Sequence, residues 1–169
     1  MRPGLRIIGC IVATAVATAS AIAQAPDDAQ IKARVALAIA RFAETPERST
    51  AGPLRLCLAV RDTPPKALLA LSGERVGAHA VEVRVGPPFA QCDVLYVHES
   101  FVEWRRLLNE PRSPALTVGD VPGFLAAGGM VELVIDSDAV RFDVNLRALR
   151  EQGIRLPAPV LKLARQVRE

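Results

Sequence analysis

The sequence predicts a three-layer α/β fold: a mostly parallel sheet of about six strands with one antiparallel hairpin and helices on both faces. Three observations carry that expectation. Apolar runs of strand length, such as Leu54–Val60 and Asp93–His98, alternate along the chain with segments of helical spacing. Met130–Ile135 and Ala139–Val144 are separated by Asp136-Ser137-Asp138 alone, a turn tight enough to make a hairpin. The chain has 169 residues, 50% of them hydrophobic and 23% charged, with mean hydropathy +0.23. That is the size of one compact domain, and the composition excludes disordered, collagenous and small disulfide-scaffold proteins.

Residues 1–25 read as a signal peptide. Arg2 and Arg6 precede an apolar run from Ile7 to Ala23, and Ala23-Gln24-Ala25 offers small residues for cleavage after Ala25. Gly9, Thr14, Thr18 and Ser20 dilute the run below what a membrane-spanning helix needs. Cys10 leaves with the leader, and the mature chain, 26–169, is expected to be a single domain exported to an oxidising compartment. Lys and Arg total 21 against 18 Asp and Glu; losing Arg2 and Arg6 leaves 19 against 18, which is no electrostatic footprint for nucleic acid.

Asp27 and Asp28 open a first helix with Ile31, Val35, Ala38, Ile39 and Phe42 on one face, ending near Thr45-Pro46. The Leu54–Val60 strand leads to a helix over 64–72, opened by Pro64-Pro65 and closed by Gly73. His79–Val85 alternates as a half-exposed strand and stops at Gly86-Pro87-Pro88. After the Asp93–His98 strand, Ser100 caps a helix with Phe101, Trp104, Leu107 and Leu108 on one side. Pro114–Val118 is a fourth strand, running through Gly119-Asp120 into a short helix ended by Gly128-Gly129. The hairpin follows, then a helix closed by Gly153. A last helix over 158–168 places Val160, Leu163, Ala164 and Val167 on one face.

Chemistry is sparse in this chain. Asp62, His98, Glu99 and Asp120 follow strands where ligands of doubly wound sheets bind, but helix capping by Ser100 and Asp120 and simple solvation explain them as well. His79 and His98 lack the spacing of metal ligands. No G-x-S-x-G elbow or G-x-G-x-x-G loop is present, so neither a catalytic nucleophile nor a cofactor is expected. Arg41 and Arg155 are candidates for forked recognition of an anion, or ordinary surface charges. Asp143, on the polar side of an expected edge strand, is placed to face a partner or to blunt aggregation. Cys57 and Cys92 either form the one bridge two cysteines allow, closing about 35 residues and contributing roughly 3 to 4 kcal/mol, or remain buried thiols.

The stretch Pro114-Ala115-Leu116-Thr117-Val118-Gly119-Asp120-Val121-Pro122-Gly123-Phe124, followed by Gly128-Gly129-Met130 and Val140-Arg141-Phe142-Asp143-Val144-Asn145-Leu146, resembles the YfiR-like family of periplasmic regulators. Leu54-Arg55-Leu56-Cys57 and Gln91-Cys92-Asp93-Val94-Leu95-Tyr96 fit its earlier strands, and the resemblance covers 28–168. It implies a non-enzymatic protein that binds the periplasmic sensor domain of an inner-membrane diguanylate cyclase and represses it, and that an outer-membrane lipoprotein sequesters in turn. Cys57 and Cys92 match the family's structural disulfide. Arg41 and Arg155 match positions linked to small anionic ligands, and Asp143 with Leu149 matches a partner-contact region. A homodimer is compatible with this reading, and so is service to a sensor histidine kinase. The rival class is a stand-alone periplasmic small-molecule-binding protein. Thr45 stands before Pro46 where relatives often carry tryptophan, and a second disulfide has no counterpart near Gly123 to Leu133.

Overall fold

A computed structural model describes residues 27–46, 52–110 and 115–169. The leader, its cleavage position after Ala25, Cys10 and Pro114 lie outside these residues. Thirteen elements follow one another: α1 (Asp28–Phe42), β1 (Leu54–Ala59), α2 (Lys66–Leu69), β2 (Arg75–Val76), β3 (His79–Val85), β4 (Val94–Val97), α3 (Trp104–Leu108), β5 (Leu116–Gly119), β6 (Val131–Asp136), β7 (Ala139–Asn145), α4 (Leu146–Glu151), α5 (Ala158–Leu161) and β8 (Gln166–Arg168). The strands form one sheet in the order β2-β3-β1-β4-β5-β6-β7-β8. β3, β1, β4, β5 and β6 run parallel, β6 and β7 form the antiparallel hairpin, and β8 lies parallel to β7.

The central strands are buried on both faces, which is why they read as continuous apolar runs. Leu54, Leu56 and Leu58 of β1, Val94 and Tyr96 of β4, and Leu116 and Val118 of β5 pack into one core with α1, α4 and α5. Their neighbours Cys57, Ala59, Leu95 and Val97 face the other core, with Trp104, Leu107, Val121 and Phe124. Helices therefore cover both faces. The Cys57–Cys92 disulfide closes inside the second core, tying β1 to the residues just before β4.

Several expectations change. The sheet has eight strands, not about six. β2 is two residues long, too short to leave a periodic pattern. α1 forms where expected, with the Asp27 carboxylate accepting the Gln30 N–H, but it ends at Phe42 and buries another face. Ala33, Ala36, Leu37, Ile39 and Ala40 are buried, while Phe42 is 53% exposed. The small alanines let the helix lie close on the sheet, which moves the larger side chains to its flanks.

The helix expected over 64–72 shortens to α2, and that expected after Ser100 begins only at Trp104. The segment after Asp120 is a run of turns, not a helix. Glu132 of β6 holds it, its carboxylate accepting the Gly123 and Leu125 N–H groups at 3.1 and 2.9 Å. The last helix stops at Leu161, and Gln166–Arg168 turns back as a strand on β7. Leu163 is consequently 71% exposed. The open backbone of β7 outcompetes the helical pattern there, because its ladder groups need partners.

Gly128-Gly129 serves packing as well as turning. Phe124 is fully buried, and a Cβ on Gly119 would meet its ring at 2.6 Å; one on Gly129 would come closer still. Both glycines are needed for the ring to fit where it does. Gly129→Ala is therefore expected to cost about 1 to 3 kcal/mol by overpacking. Urea unfolding would read this as a lower midpoint, and an unchanged midpoint would contradict the packing account.

Candidate functional site

The β1–α2–β3 connection lies on the α1 face of the sheet and the β4–α3–β5 connection on the other. β1 thus has neighbours reached by opposite crossovers, which makes its boundary with β4 the topological switch point. Outside the carboxyl ends of the strands at that point is a hollow of about 310 Å³, lined by Lys32, Leu68, Tyr96, His98, Glu99 and Asp120. The volume is at the low end for small-molecule sites.

Asp120 is its centre. The residue follows β5 and its side chain is 3% exposed. Its Oδ1 accepts the Glu99 N–H at 2.8 Å, and its Oδ2 accepts the Tyr96 hydroxyl at 3.1 Å and Lys32 Nζ at 3.4 Å. It does not cap a helix. It pins the turn after β4 and joins α1 to the sheet, since Lys32 belongs to α1. A buried carboxylate persists where an opposite charge and several donors meet it, and removing one partner strands the charge.

Burial pushes the Tyr96 phenol well above its ordinary range, and the neighbouring Asp120 and Glu99 carboxylates push it further. Tyr96 thus keeps its proton and donates a hydrogen bond to Asp120.

Ser100 is not a helix cap either. Its hydroxyl lies 2.9 Å from His98 Nδ1 and accepts the Arg61 N–H at 3.3 Å, while its own N–H donates to Nδ1 at 3.2 Å. Nδ1 is used as an acceptor, so the network assigns the ring proton to Nε2. The turns after β1 and β4 are thereby joined. Asp62, also expected near this end, is exposed and does not line the hollow. Among the described residues no three His, Cys, Asp or Glu side chains gather as metal ligands would.

Arg41 and Arg155 come to one end of α1. The Arg41 guanidinium donates to the Arg75 carbonyl at 3.2 Å and borders an open hollow of about 500 Å³ with Arg75 and His79. Arg155 is exposed, and its backbone exchanges hydrogen bonds of 2.9 and 3.0 Å with Glu44, three residues beyond Arg41. No described carboxylate lies within 4.0 Å of either guanidinium.

Asp143 is placed otherwise than expected. β7 is not an edge strand, because β8 covers it, and Asp143 is 3% exposed. Both its oxygens accept from the Arg165 guanidinium, one at 2.9 Å, and the Arg165 N–H bonds the Phe142 carbonyl at 2.8 Å. The charge pair is what seats the C-terminal strand. Leu149 is 1% exposed in the core. Neither residue offers surface to a partner; the exposed group above them is Arg165.

A family model described as YfiR/HmsC-like matches residues 29–165, from the second residue of α1 to the Arg165 that seats β8. The chain belongs to the YfiR/HmsC-like family. No curated protein matches the sequence. The matched span holds the Cys57–Cys92 bridge, the Asp120 cluster and the Asp143–Arg165 pair, so this YfiR/HmsC-like chain carries all three within the family's own extent. No described helix is long and apolar enough to cross a membrane.

Lys32 and Tyr96 are the members of the cluster that sequence reasoning missed. Tyr96 carried a signal, since it is a phenol among Val94, Leu95 and Val97 and a buried hydroxyl needs a partner. Lys32 carried none beyond a cation beside an apolar face.

The chain has a single tyrosine, so its ionisation can be followed cleanly by ultraviolet absorbance. A raised phenol contributes stability that is complete below the unfolded value near 10 and is lost as pH climbs above it. Absorbance at 295 nm is expected to stay flat through pH 10 to 11 and to rise only with unfolding. A midpoint near 10 in the folded protein would contradict the buried Tyr96–Asp120 bond.

Proposed function

We propose that this protein is a periplasmic regulator that binds the periplasmic sensor domain of an inner-membrane signalling enzyme, a diguanylate cyclase, and holds that enzyme inactive. Membership in the YfiR/HmsC-like family over residues 29–165 carries the reading. The leader-like residues 1–25, with Arg2 and Arg6 before an apolar run, support export of a mature 26–169 domain. So does a pair of cysteines joined as a disulfide, a bond that persists in oxidising compartments.

The protein acts by contact and not by catalysis. A bound regulator shifts an enzyme between states only through its difference in affinity for the two. Moving a population from 1:99 to 99:1 takes about 10⁴-fold, or roughly 5.5 kcal/mol. That is within reach of an interface of about 1,600 Å² with a few well-packed anchors. In this reading Asp143 and Leu149 serve the partner surface from beneath, Asp143 by aiming Arg165 and Leu149 by packing α4. Arg41 and Arg155 are the anion-recognising pair, through which a small ligand would adjust the contact. An outer-membrane lipoprotein that competes for the same protein would relieve the repression.

Deletion of the gene tests this. Intracellular cyclic-di-GMP and surface attachment are expected to rise several-fold, and to be restored by the full chain but not by a chain lacking residues 1–25. Unchanged cyclic-di-GMP in the deletion strain would remove the cyclase reading.

A further inference from the structure

β3 is covered on its outer side only at its start. β2 pairs with His79 and Ala80, and the Val81 N–H and C=O are taken by Glu74 and Gly73. On the inner side β1 runs beside it in register from Leu54 opposite Val81 to Leu58 opposite Val85, and the Gly86 N–H bonds the Leu58 carbonyl. Backbone groups of successive strand residues point to opposite sides. Those of Glu82, Arg84 and Gly86 therefore serve β1, and those of Val83 and Val85 point outward. Among the described residues nothing bonds these outward N–H and C=O groups.

We propose that Val83–Val85 is a docking edge for a short extended segment of a partner protein, added to the sheet as a further strand. Exposed backbone donors and acceptors in strand spacing recognise another strand, whatever its side chains. The flanking side chains narrow the choice. On one face Val83 is partly buried against the core and Val85 is 49% exposed, which suits apolar partner residues. On the other face Glu82 and Arg84 form an ion pair of 2.8 Å, 41% and 44% exposed.

Below the strand end, Arg84, Val85, Gly86, Pro87, Ala90 and Gln91 line a hollow of about 390 Å³, room for one anchoring apolar side chain. Pro87 and Pro88 have no N–H and end the edge, so the docked segment is about four residues long.

Charge selects a foreign strand over a second copy of this chain. An antiparallel self-pairing that bonds Val83 to Val85 of the copy sets Arg84 against its own equivalent, and like charges directly opposite are destabilising. Sliding the register so that Glu82 faces Arg84 of the copy brings Val85 against Val81, whose outward groups Glu74 and Gly73 already occupy. A partner strand with an acidic residue opposite Arg84 meets neither obstacle. Charged edges often serve to repel other strands. Here the two charges neutralise each other, and residues 82–85 contain no proline or bulge. The edge is independent of the cyclase reading, since any protein offering such a segment would fit it.

The test uses the mature protein and a fluorescent peptide of about six residues that alternates valine with glutamate and ends in phenylalanine. Anisotropy is expected to show saturable binding, and hydrogen exchange to show slowed Val83 and Val85 amides. Val85→Pro removes an outward N–H while leaving the β1 ladder intact, and should weaken binding about tenfold or more. A peptide N-methylated at the bonding positions should be weakened equally on the wild-type protein, which keeps the test valid if the proline variant misfolds. Absence of binding to the wild-type protein, or equal binding by Val85→Pro, would overturn the proposal. So would a dimer in sedimentation that Val85→Pro dissolves, because that assigns the edge to a second copy.

Discussion

The constraint on which this structure turns is the burial of β1, β4 and β5 on both faces. Leu58, Ala59, Leu95, Val97, Leu116 and Val118 are all at 0% exposure. Each large apolar side chain hidden in this way is worth about 1.5 to 3 kcal/mol. Buried polar atoms are costly unless paired, so a sheet sealed on both sides pushes its chemistry to its rims. Those rims are the carboxyl ends of the strands and the two edges. At the ends, Asp120 is admitted because Lys32, Tyr96 and the Glu99 N–H satisfy it. At one edge Arg165 closes β8 over β7 by pairing with Asp143. At the other, β3 stays open beyond Val81.

The same constraint decides what was legible in the sequence. Strands sealed on both sides announce themselves as apolar runs, and the runs match β1, β4 and β5 to within a residue or two. β3 and β7 alternate because one side of each is partly exposed, and the hairpin turn is marked by Asp136-Ser137-Asp138, with Ser137 and Asp138 at φ 51° and 61°. Elements held by a single long-range interaction were not legible. The C-terminal segment carries a good helical pattern, yet Arg165 finds Asp143, 22 residues away, and the chain extends to pair with β7. Asp120 and Ser100 look like helix caps locally. Asp120 meets Tyr96 of β4, the turn after it and Lys32 of α1, and Ser100 reaches Arg61 in the turn after β1, long-range partners that no local pattern reveals.

Asp143 shows how one illegible element changes the role of a residue. With residues 158–168 read as a helix, an acid on the polar side of the last strand of the hairpin faces a partner or solvent at an open edge. Once β8 is present, the acid is a buried anchor and Arg165 becomes the exposed group. The sequence offers Arg41 and Arg155 together as candidates for an anion, and the Glu44–Arg155 bridge brings their segments together, a pairing between residues 111 apart in the chain.

Taken together, the rim chemistry suits a protein that works by touching others. Its buried polar groups are spent on holding turns and termini in place, and its unspent groups are surface guanidinium groups and an open strand. The most direct test is reconstitution. The diguanylate cyclase it is proposed to restrain, full length and embedded in lipid nanodiscs with GTP, should lose most of its cyclic-di-GMP synthesis when the purified mature protein is added in excess. It should regain that activity when the protein is removed. Undiminished synthesis at saturating protein would contradict the account.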